Sequence, residues 1–165
     1  MSVPVRQDCP HVGNAALLSL EEFNKIDFGE LHCQNCEEEK ELWICLFCGK
    51  TFCSRYANSH FIQHNIINPE HCLCLGINDL SIWCYNCKNP HYNNDEQNDE
   101  DSKGSYIKSE KTDEYINIYS EYKKKEEEKN LNKENISYNE EYQKDIIERK
   151  NDLCQHIEDI TKEEF

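Results

Sequence analysis

Twelve Cys and His side chains within the first 87 residues are candidate ligands for a soft or borderline metal. Cys33 and Cys36, Cys45 and Cys48, and Cys84 and Cys87 are Cys-x-x-Cys knuckles, tight turns that aim two thiolates at one ion. Gly49 follows the middle knuckle and supplies permissive backbone there. Cys9 and His11 flank Pro10, which stiffens the turn between them. His60 and His64 are four apart and share one face of a helix, and Cys53 and His71 complete the set. Twelve ligands make three tetrahedral zinc sites with none missing. Among them stand Arg55, a donor suited to carboxylates, and the aromatic residues Trp43, Tyr56, Trp83 and Tyr85.

Short β-prone runs must carry these ligands. Leu42 to Cys45 reads as a strand, with Phe47 to Cys53 returning beside it. Asn58 to Asn65 reads as a short helix bearing His60 and His64 on its inner face, ended by Asn68-Pro69. Cys72 to Leu75 and Leu80 to Cys87 read as two more strands around an Asn78-Asp79 turn. Alternation along the second puts Trp83 and Tyr85 on a solvent-side face and Cys84 on the other, and two aromatics so placed invite a binding role. Leu17 to Phe28 is expected to be a loose connector, with Ser19 able to begin a helical turn.

Composition divides the chain. Residues 1–88 hold ten of the 11 Cys, both Trp and five of the six Phe, whereas 89–165 are dominated by Glu, Lys, Asn, Asp and Tyr. The net charge of −15 splits into −5 and −10 across these halves. Nucleic acid is therefore not an expected partner, because phosphate binding needs a basic face; a basic partner suits the chain better. No apolar run approaches the roughly 18 to 20 residues of a membrane span, and no signal-peptide core opens the chain, so a cytoplasmic or nuclear location is expected. Thiols stay reduced there, and clustered Cys and His read as metal ligands. Residues 88–105 read as a disordered insertion. Asp113 to Lys125 carries Tyr115, Ile116, Ile118, Tyr119 and Tyr122 at helical spacing able to pack one face on the finger, and 126–165 read as an acidic, charged tail, helical or disordered.

The string Cys9-Pro10-His11, the knuckles, Cys53-Ser54-Arg55-Tyr56 with His60 seven after the Cys, and Asp79-Leu80-Ser81-Ile82-Trp83-Cys84-Tyr85-Asn86-Cys87 resemble the ubiquitin-binding zinc finger of ubiquitin-specific proteases, found also in a histone deacetylase and a RING ligase family. The resemblance implies a small α+β domain over 7–125, with a twisted antiparallel sheet, two helices and three zinc ions. The ligand sets it implies are Cys9, His11, Cys84 and Cys87; Cys33, Cys36, Cys53 and His60; and Cys45, Cys48, His64 and His71. It further implies a monomer that binds the free carboxy-terminal Gly-Gly of ubiquitin in a slot formed by Arg55, Tyr56, Trp43, Trp83, Tyr85 and a further Tyr. Family members carry that Tyr just after the last knuckle, where this chain has Pro90, so Tyr106 beyond the insertion takes the role, with Tyr92 as the alternative. Ser54 stands where many members have Gly. The spacing from His64 to His71 is one residue longer than in close relatives, which leaves Cys72 as a rival ligand.

A deubiquitinase would need a nucleophilic Cys with a His and an Asn or Asp in a larger catalytic domain. With eight Cys on zinc, only Cys72, Cys74 and Cys154 remain, none in such a box. The expected role is binding without catalysis. The alternatives are the regulatory finger of a longer deubiquitinase or ubiquitin ligase, a RING-type cross-brace with eight ligands and two zincs, and an intact zinc scaffold that binds another protein tail.

Overall fold

The computed structural model describes residues 5–88 and 103–163. By internal contacts the chain divides into two units, Met1–Tyr122 and Lys123–Phe165.

In the first unit six strands form one sheet: β1 (Val5–Arg6), β2 (Leu42–Cys45), β3 (Thr51–Cys53), β4 (Leu73–Gly76), β5 (Ile82–Lys88) and β6 (Lys103–Ile107), in the order β1-β6-β5-β4-β2-β3. Two helices, α1 (Leu20–Asn24) and α2 (His60–Ile67), lie between strands, and α3 (Glu110–Glu163) follows the last. The fold is thus mixed α and β, as expected. The sheet is not wholly antiparallel, however. β1 lies parallel to β6, with Val5 opposite Tyr106, so the chain's first described residues extend an edge laid down a hundred residues later.

The register decides what each face carries. Trp43 pairs with Gly76, Cys74 with Trp83, and Trp83 with Tyr106. Side chains alternate along a strand, so Trp43, Trp83 and Tyr106 share one face while Ile44, Leu75, Ile82 and Ile107 share the other, where all four are buried. Residues 103–105 fall within β6, and Lys88 pairs with Lys103. The expected insertion is therefore shorter at both ends, and residues 89–102 and Tyr92 lie outside the described residues.

The expectation of a loose connector at Leu17 to Phe28 fails. Ser19 caps α1 in a reciprocal capping box with Glu22, which satisfies donors that a helix start otherwise leaves unpaired. The helix holds Phe23 fully buried, edge-on to Tyr115 at 5.1 Å and 5.5 Å from Phe28. Tyr119 and Tyr122 of α3 pack on Phe28 in turn, and the Tyr115 hydroxyl donates to the Leu18 carbonyl. Phe23→Ala is expected to cost about 3–5 kcal/mol, the range for large-to-small aromatic truncation in a core. Thermal denaturation of the metal-loaded protein would measure it, and a midpoint unchanged from wild type would contradict the packing.

In the second unit α3 runs on to Glu163 with Leu131, Ile136, Tyr142 and Ile147 exposed, and Lys129 pairs with Glu126 at 2.7 Å. No helix among the described residues is long and apolar enough to cross a membrane.

Candidate metal centres and an aromatic slot

Three groups of four Cys and His side chains have ligand atoms within 4.8 Å of one another: Cys9, His11, Cys84 and Cys87; Cys33, Cys36, Cys53 and His60; Cys45, Cys48, His64 and His71. A tetrahedral zinc with Zn–S of about 2.3 Å and Zn–N of about 2.0 Å sets donor separations of about 3.8 Å between sulfurs, 3.5 Å from sulfur to nitrogen and 3.3 Å between nitrogens. The geometry meets these edges. His11 Nδ1 lies 3.7, 3.4 and 3.6 Å from the sulfurs of Cys9, Cys84 and Cys87, and the Cys9 and Cys87 sulfurs are 3.5 Å apart. In the second group His60 Nδ1 is 3.4 Å from Cys33 and 3.3 Å from Cys53, with Cys36 and Cys53 at 3.9 Å. In the third, His64 Nε2 is 3.6 Å from Cys48 and 3.1 Å from His71 Nδ1.

Local structure explains these aims. His60 and His64 fall in two different groups, as the implied ligand sets have it. One turn of α2 separates them, and each faces a different group. Gly49 takes φ +71° directly after Cys48, which folds the knuckle back and lets its amide donate to the Cys45 carbonyl at 2.9 Å. On a regular strand Cys84 and Cys87, three apart, would point to opposite faces. The register shift between Cys84 and Lys88 turns Cys87 back towards Cys9 and His11. His71 rather than Cys72 completes the third group. Cys72 is fully buried at the entry to β4, and its carbonyl accepts from the Tyr85 amide at 2.8 Å.

Four donors this close could hold a cation. The neighbouring Cys45 thiol holds Cys48 down, while the same neighbour and burial push Cys45 up. A divalent ion bound there would keep both as thiolates. Partners that ligand spacing does not disclose surround the groups. Asn58 donates to the Cys36 sulfur at 3.5 Å, and Glu70 lies 4.0 Å from Nε2 of His71, the ring nitrogen turned away from His64.

The remaining candidate residues, Trp43, Arg55, Tyr56, Trp83, Tyr85 and Tyr106, line one small cavity of about 10 Å³, the room of roughly one water. The sheet face supplies Trp43, Trp83, Tyr85 and Tyr106, and the turn between β3 and α2 supplies Arg55 and Tyr56. The Arg55 guanidinium lies 5.0 Å over the Trp83 ring and 5.0 Å over the Tyr56 ring, and it donates to the Tyr56 hydroxyl at 2.9 Å. Tyr106 meets Trp83 edge-on at 4.7 Å, and Phe61 of α2 stacks on Tyr85 at 5.4 Å. Trp83 is not on an open solvent face: it is 5% exposed, beneath these groups. Ser54, at the position where Gly was expected, is fully buried and its Oγ accepts from the Tyr56 amide at 3.1 Å, which braces the turn.

Residues 33–96 match the family described as "Zn-finger in ubiquitin-hydrolases and other protein". This segment is a zinc finger of that family. Over 79 residues the chain is 34% identical to histone deacetylase 6 of Caenorhabditis elegans and 33% identical to ubiquitin carboxyl-terminal hydrolase 44 of Danio rerio, covering 48% of this chain each time and 8% and 11% of those proteins. Over 55 residues, 33% of the chain, it is 42% identical to NAD-dependent deacetylase sir2A of Dictyostelium discoideum, covering 10% of that protein. The chain thus spans no more than 11% of the length of these relatives. The matched finger contains all of the second and third ligand groups, and the first reaches outside it to Cys9 and His11.

Proposed function

We propose that this finger holds three zinc ions and binds the free carboxy-terminal Gly-Gly of ubiquitin through Arg55 and the aromatic slot. The observation that carries the reading is a guanidinium held over an indole in a small cavity that five aromatic rings line with it. A carboxylate entering there takes over the Arg55 donors that now serve Tyr56, and charge-assisted hydrogen bonds of this kind contribute roughly 1.5–3 kcal/mol. Burial raises the pKa of both Tyr85 and Tyr106, so both phenols keep their protons at neutral pH and can donate to the same anion. Trp43 and Trp83 wall the slot against β-carbons. The chain's charge of −15 favours a basic tail, such as ubiquitin's Arg-bearing one.

On this reading the chain binds as a monomer in the cytoplasm or nucleus and catalyses nothing itself. Because its relatives are far longer and carry enzyme names, the finger can also serve as the ubiquitin-sensing part of a longer deubiquitinase or ligase.

Calorimetric titration of zinc-loaded protein with ubiquitin, and with ubiquitin lacking its last two glycines, tests the function. Binding of the first alone is expected; equal affinity for both refutes a tail reader. In the same assay Tyr106→Phe removes one hydroxyl donor and should weaken ubiquitin binding about fivefold to tenfold, in keeping with roughly 1 kcal/mol for one hydrogen bond. Tyr92→Phe should leave it unchanged, and the reverse pattern would transfer the role to Tyr92.

A further inference from the structure

Gly104 stands beside the slot without lining it. β6 puts it on the same face as Tyr106, diagonal to Trp83 across the strand pair, and its backbone takes φ +100°, which L side chains rarely adopt. A β-carbon there would sit 2.4 Å from Trp83 Nε1, 2.5 Å from Cε2 and 2.6 Å from Cζ2, all well inside van der Waals contact. The indole therefore rests directly on the Gly104 backbone. Tyr106 holds its second flank and Arg55 lies over the ring.

Resting on the tail-binding reading above, we propose that Gly104 is a positioning residue of the slot. Its missing side chain seats the Trp83 indole deep enough to leave the cavity open beneath Arg55. With a methyl group at this position the indole can yield only away from β6, towards Arg55 and the cavity. That cavity, at about 10 Å³, has no volume to lose. The effect on the tail is steric and indirect, since Gly104 presents no group to a carboxylate.

The test compares Gly104→Ala with Gly13→Ala, a control whose added carbon meets nothing within 4 Å. Three quantities are read on zinc-loaded protein: metal content, the Trp83 indole N–H resonance (assigned with Trp83→Phe), and affinity for ubiquitin with and without its last two glycines. Gly104→Ala should keep its zinc, shift the indole resonance, and lose at least tenfold in affinity for intact ubiquitin, while Gly13→Ala changes none of these. An unmoved resonance, or a moved one with wild-type affinity, overturns the proposal. If Gly104→Ala loses its zinc, the double variant Gly104→Ala/Trp83→Phe decides. Recovery of metal places the conflict at the indole, and failure to recover places it in the backbone and overturns the proposal. A wild-type protein indifferent to the two glycines refutes the tail-binding function instead, and the resonance still reads the seating of Trp83 by itself.

Discussion

Removing zinc with a strong chelator is expected to unfold the sheet-bearing unit as a whole, with loss of β-sheet circular dichroism and a red shift of tryptophan emission. Structural zinc in finger peptides contributes about 10–16 kcal/mol apparent, against a net stability of about 5–15 kcal/mol for an ordinary domain. One ion therefore outweighs the margin by which the rest of the unit is folded. The three groups also tie the sheet together at separate places: Cys84 and Cys87 anchor β5 to the Cys9 segment, Cys53 and His60 anchor β3 to α2, and Cys45 and His64 anchor β2 to the same helix. Native mass spectrometry should count three ions per chain, released together with the fold. A count of two, or a chelated protein that keeps its native spectrum, would contradict the assignment.

Arg55→Ala is the substitution with the largest expected effect on binding at the smallest cost to the scaffold. It removes the guanidinium from over Trp83 and Tyr56 and touches no metal ligand. Loss of a charge-assisted pair with a carboxylate corresponds to about tenfold to hundredfold weaker ubiquitin binding. Zinc content should remain at the wild-type value. Unchanged affinity in a zinc-replete variant would show that Arg55 does not read the tail.

The knuckles were legible in the chain because Cys-x-x-Cys spacing is a local property, and so was the helix ended by Asn68-Pro69. The ring nitrogen each His presents was not. His60 offers Nδ1 and His64 offers Nε2 from one helix, and only the positions of Cys53 and Cys48 around that helix decide it. Ser19 was visible as the start of a helical turn, yet the segment read as loose because its packing partners come from α3. Tyr115 reaches the Leu18 carbonyl from 97 positions away. Strand alternation correctly separated Trp83 from Cys84 but could not bury Trp83. The groups that cover it come from a turn after β3 and from a strand beyond residues 89–102. β1, two residues long, carries no propensity signal of its own and exists only because β6 offers it an edge.

The span of the first metal group has a consequence for how the chain is made. Cys9 and Cys87, whose sulfurs end 3.5 Å apart, are separated by 78 positions. The other two groups interleave between Cys33 and His71, so both can close while the first still lacks Cys84 and Cys87. At synthesis rates of about 5–20 residues per second, Cys9 waits roughly 4 to 16 seconds for its last partner to emerge from the ribosome. Once His71 has emerged, the second and third groups have all their ligands while the Cys9 thiol and His11 imidazole still lack Cys84 and Cys87. The arrival of the third knuckle completes the first group and brings the indole of the slot on β5, and β6 and β1 extend the sheet only after it.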